Sequence, residues 1–212
     1  MNTRHFLIRV AATLMLVSGA AQSHEDESKS QLGKVKFSNS CNPAVQADFE
    51  RGVAMLHSFW YSEAEKTFRE VLAKDAGCAI ASWGIASILM SNPLGGQGAL
   101  PKDAAAAQAA IDHGRSIAAK TQRERDYIEA VAAYYQDFST RPERARQESR
   151  AKAFEALAAR YPDDDEAQIF SALYIAGTQT QADQTYAAYL KAAAILEKQF
   201  VKYPDHPGVA HT

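Results

Sequence analysis

The sequence predicts an all-α fold of short antiparallel helix hairpins, on three observations. Alanine supplies 41 of the 212 residues, against 11 glycines and 7 prolines. It is the strongest helix former, and its small side chain lets helices pack closely. Apolar residues recur at helical spacing along most of the chain, and no segment sustains the alternation of a strand. Proline- or glycine-bearing breaks separate the periodic stretches. With 47% hydrophobic and 23% charged residues the chain can bury a core. A formal net charge of -2 offers no field to collect nucleic acid.

The first 23 residues read as a signal peptide. Arg4 and His5 precede an apolar run from Phe6 to Val17, broken by Arg9, and Ser18, Gly19, Ala20 and Ala21 follow. The run is short for a membrane span of roughly 20 residues. Cleavage after Ala20, Ala21 or Ser23 fits equally well. The expected location is the periplasm or cell exterior, with no stable membrane insertion after cleavage. Residues 24–42 are polar and weakly patterned, which predicts a flexible lead-in. Cys41 and Cys78 are the only cysteines. In an oxidising compartment a disulfide between them is the expectation, and it would stabilise by about 3 to 4 kcal/mol in the chain-entropy model. Two separate buried thiols are the alternative.

Helical periodicity begins at Pro43-Ala44. Ala44, Ala47, Val53, Ala54 and Leu56 share helical spacing, and Ala64, Phe68, Val71 and Leu72 repeat the theme. The short break from Ser58 to Tyr61 makes these two an antiparallel hairpin. A third segment runs from Cys78 to Met90, and Ser91 to Gly98 is a loop. Pro101 suits the opening of a helix through Ala119. Helices are then expected over 123–138, 143–160, 166–176 and 186–202. Tyr161-Pro162-Asp163 and Tyr203-Pro204-Asp205 mark the same helix end and proline turn 42 residues apart, with Lys74-Asp75-Ala76 a degenerate copy.

Gly52, Tyr61, Ala64 and Phe68 lie at offsets of 9, 12 and 16. They match the small and aromatic positions of a tetratricopeptide repeat. Gly52 and Ala64 would let two helices approach, and Phe68 would fill the gap to the next. Thirty-four residues on, Trp83 and Ala86 take the places of Phe49 and Gly52. Ser40 to Gln46, Phe49 to Tyr61, Cys78-Ala79, Trp83 to Ala86, Arg123 to Ile128 and His206 to His211 occur in order. Together they resemble a family of exported bacterial tetratricopeptide repeat proteins. The resemblance implies a short right-handed solenoid over 43–204, with 205–212 the start of an incomplete further repeat. Relatives usually continue with more repeats, often opening on an aromatic residue and another histidine. The chain therefore reads as C-terminally truncated, with the apolar side of the 186–202 helix exposed and a last helix too short to pack a face.

Candidate chemistry is sparse. The expected role is a non-enzymatic module that binds or scaffolds a protein or peptide on a concave face. Its groove candidates are Phe49, Val53, His57, Trp60 and Trp83. The bland reading of His57 is a helix cap or core residue. The alternative is a metal-binding or metal-dependent accessory protein whose ligands come from His57, His113, His206 and His211. That requires these histidines to converge, since a metal needs three or four ligands. No cofactor and no catalytic residue is expected. Asp163, Asp164, Asp165 and Glu166 read as helix-start acids rather than a calcium loop. Gly95 to Gly98 lacks the lysine and hydroxyl of a phosphate loop.

Overall fold

The computed structural model describes residues 32–212, and the signal-peptide expectation lies outside them. Among the described residues there are nine α-helices, one short 3-10 turn at Pro43–Val45 and no strand. The helices are α1 (Gln46–His57), α2 (Tyr61–Lys74), α3 (Ile80–Ile88), α4 (Pro101–Ile117), α5 (Gln122–Tyr135), α6 (Glu143–Arg160), α7 (Asp165–Ala176), α8 (Ala187–Lys202) and α9 (Pro207–His211). None is long and apolar enough to cross a membrane. Each helix packs on the next in sequence. In addition α3 touches both α1 and α5, and α9 folds back onto α1 and α7.

Local chemistry sets the boundaries. Pro101 opens α4, where its missing N–H costs nothing. Thr121 Oγ1 accepts the Glu124 amide at 3.2 Å, and Asp164 Oδ1 accepts that of Ala167 at 3.3 Å. The capping role expected of the 163–166 acids therefore falls to Asp164. Helix α5 stops at Tyr135, short of the expected Phe138. Asp137 turns the chain with φ +50°, and Arg141 Nη1 donates to the carbonyls of Ala133 and Gln136.

The core is built around aromatic rings. Phe68 of α2 is fully buried and lies against α1 at Gly52 and α3 at Gly84. A Cβ on Gly52 would stand 2.9 Å from the ring, and one on Gly84 would stand 2.6 Å away. These two glycines make room for one phenylalanine between two helices. Tyr61, Ala64 and Ala86 pack into or against the same core.

The second half of the stretch read as a loose lead-in is packed. Residues 32–41 form a strap whose Leu32, Val35 and Phe37 are buried. The Phe37 ring lies 5.1–5.3 Å from those of Phe49, Trp83 and Tyr127, under the Arg123 guanidinium. Further along, Ser40 donates from its backbone N and its hydroxyl to buried Glu124, at 2.6 and 2.7 Å. Cys41 and Cys78 are joined in a disulfide, so the separate-thiol alternative is set aside. Sequence patterning missed the strap because an extended segment with three apolar residues carries no helical period.

Helix α8 is the least covered. Of its sixteen residues only Ala192 and Gln199 are buried, and Tyr189, Leu190, Phe200 and Val201 are exposed.

Gly84→Ala tests the close contact at Phe68. In an open helix the change gains about 1 kcal/mol of propensity. Here the methyl meets the ring, and a net loss of about 1–3 kcal/mol is expected from overpacking. Urea denaturation checks it, and an unchanged or raised midpoint would contradict the packing.

Candidate metal centre

Three side chains far apart in sequence meet inside the protein. His57 closes α1, Glu166 lies in the first turn of α7, and His206 stands just before α9. Their side chains are 0%, 2% and 4% exposed. His57 Nε2 lies 2.9 Å from Glu166 Oε2, and His206 Nε2 lies 2.7 Å from Oε1. All three offer a ligand atom within 4.8 Å of one another.

The placement follows from local structure. Glu166 sits in the first turn of α7, where a carboxylate is favoured by the helix N-terminus. His206 caps α9, with Nδ1 accepting the Gly208 amide at 3.1 Å. That bond needs a lone pair on Nδ1, so the ring proton stands on Nε2 and is donated to Glu166. The His57 ring stacks on Phe170 with centroids 4.3 Å apart. Gly208 closes over it, since a Cβ there would stand 2.5 Å from His57 Nδ1 and 2.7 Å from Ile169 Cγ2. Short as it is, α9 therefore packs, contrary to the expectation that so brief a helix could not.

Burial alone would raise the Glu166 pKa, but the two imidazoles overcome it and hold the carboxyl at about 2. For His57 burial dominates and lowers the pKa, against the pull of Glu166. Its Nδ1 has no hydrogen-bond partner, so a proton placed there would be left unpaired. An ionised carboxylate with two N–H donors is thus buried without a full counter-charge. Such a centre favours a cation.

Glu166 and His206 also form part of the floor of a cleft of about 780 Å³. The strap contributes Lys34, Lys36 and Ser38 to its wall, and the two proline turns contribute Tyr161 to Asp165 and Tyr203 to Asp205. The cleft's charges are largely paired within the protein: Arg123 with Asp164 at 2.5 Å, and Lys202 with Asp165 at 2.9 Å. Strap and turn are clamped together. Lys34 N donates to the Asp205 carbonyl at 3.0 Å, and a Cβ on Gly33 (φ +74°) would collide with that oxygen. No side chain larger than hydrogen fits there.

Several sequence candidates lie elsewhere. Phe49, Val53, His57 and Trp83 are 0–2% exposed and belong to the core, so they line no open groove; Trp60 alone is exposed, at 47%. Aromatic residues at repeat spacing here serve helix packing. Of the four candidate histidines, His57 and His206 converge. His113 lies on α4 with Nδ1 3.3 Å from Ser82 Oγ, and His211 lies beside Phe59. Glu166 was the missed member. Its position in an acidic helix start gave the same signal as its capping neighbours, and only the fold shows that it points inward. A second set of possible ligands, Cys41, Asp75 and Cys78, has its sulfurs joined and offers no thiolate.

No family model matches the chain, and no curated protein or solved structure matches it either.

Acid should weaken the fold in two stages. His57, lowered in the folded state, contributes stability that is present above its usual value of 6.5 and falls as pH drops below it. Glu166, held at about 2 against a usual 4.5, adds a second loss that starts near 4.5 and completes as pH falls through 2. In Glu166→Gln the second stage disappears, and stability at pH 7 drops by about 1–3 kcal/mol because one imidazole N–H loses its acceptor. Denaturant midpoints measured from pH 8 to 2 check both statements.

Proposed function

We propose that the protein binds a divalent first-row transition metal at His57, Glu166 and His206, the last two of which border the cleft. The observation that carries this is the meeting of two imidazole Nε2 atoms and one carboxylate, all buried, around one point. Two histidines and one carboxylate are a ligand set used for zinc and for non-haem iron. Three protein ligands leave room for a fourth from solvent or a bound molecule. The role is that of a metal-binding or metal-dependent accessory protein of the periplasm or cell exterior. Its helices are of the tetratricopeptide kind. The Phe68 wedge between two glycines and the recurring proline turns support that assignment.

Loading has a definite cost. A metal at Nε2 displaces the proton now donated to Glu166, and a neutral His206 ring then carries its proton on Nδ1. There it faces the Gly208 N–H, donor against donor, and the cap on α9 is lost. Metal uptake would therefore move the His206 proton from Nε2 to Nδ1 and disturb the Gly208 amide.

Zinc titrated into the purified, metal-stripped protein near neutral pH should bind one to one and shift the Gly208 amide resonance. His57→Ala and His206→Ala should each weaken binding by at least about 100-fold. Stoichiometric binding that survives both changes, or no binding near neutral pH, overturns the assignment.

A protein partner is a second reading, favoured by α8 rather than by the concave-face residues. Tyr189, Ala193, Leu196 and Phe200 follow the 4-3-4 spacing of a helix-pairing seam and border an open groove of about 810 Å³. The partner it fits presents an amphipathic helix. A photocrosslinker at exposed Leu190 should give one discrete adduct that Phe200→Glu abolishes; adducts indifferent to that change would count against it.

A further inference from the structure

A second buried charge lies away from the metal centre. Arg150 of α6 is 1% exposed. Its guanidinium lies against the rings of Tyr134 and Tyr174, 5.2 and 4.4 Å from their centroids, and Nη1 donates to Met90 Sδ at 3.2 Å. Among the described residues no carboxylate forms an ion pair with it. Its Nε and Nη2 have no hydrogen-bond partner. Those two nitrogens form one side of the guanidinium fork, the edge that matches the two oxygens of a carboxylate. Ser87 lies buried on α3 beside Tyr174, which also neighbours Arg150.

An arginine stays protonated in a protein, and a buried charge calls for a partner of opposite sign. The thioether is a weak acceptor, and the aromatic faces leave the fork edge unsatisfied. We propose that Arg150 binds a small planar carboxylate of the formate or acetate class inside the helical array. Binding is bidentate through Nε–H and Nη2–H. It involves no chemical step and is independent of the metal reading.

The test compares thermal unfolding of the purified protein in sodium formate, sodium acetate and sodium chloride at one pH and ionic strength. The carboxylates should raise the midpoint in a saturable way that chloride does not reproduce. Arg150→Lys, which keeps the charge but loses the fork, should weaken the carboxylate response by roughly tenfold or more. Should that variant fail to fold, the Nε–H resonance of Arg150 in the unaltered protein gives the same answer, since formate must shift it. An unmoved resonance, or equal responses to formate, acetate and chloride, overturns the proposal.

Discussion

A carboxylate buried among helices must find donors, and Glu166 finds two imidazoles. This requirement organises one end of the molecule. It fixes the end of α1 against the start of α7, and it holds the turn at 203–206 where α9 can fold back. Gly208 then has to be glycine, because the His57 ring occupies the space of its side chain. The proline turns, the strap and the cleft are arranged around that junction, so one buried charge links segments from three parts of the sequence.

The strap is a second constraint of a different kind. Its backbone clamps the turn before His206, while Phe37 fills the centre of the aromatic core. The disulfide at Cys41 fixes its far end to the start of the third helix. Shape, hydrogen bonding and covalent chemistry thus act on ten residues that lack regular secondary structure. The cleft wall they form is held from both ends.

Much of the architecture was legible in the sequence because helical period and proline breaks are local signals. The expected ranges for α4, α6, α7 and α8 agree with the observed ones to within about two residues, the usual uncertainty of helix ends. Phe68 and Gly52 could be paired from repeat spacing, although Gly84, which the ring approaches more closely, could not. The candidate site was half legible. Histidines are rare enough to be noticed, and two of the four meet. Glu166 could not be separated from Asp163, Asp164 and Asp165, since all four satisfy the same helix-start rule and inward direction depends on packing. The aromatic groove failed for a related reason: residues on one helix face can point to a core or to a ligand, and periodicity is the same for both. Arg150 gave no signal at all, being one arginine among several on a polar-looking helix.

Phe37 touches Tyr127, which lies far along the chain, whereas neighbouring helices need only their sequence neighbours to pair. Helices α1 to α8 can therefore zip up through short-range contacts, each laid on the last. The strap cannot. It waits until α5 has been placed, and only then does its aromatic ring have a seat. By this logic the strap is among the last of the described segments to settle.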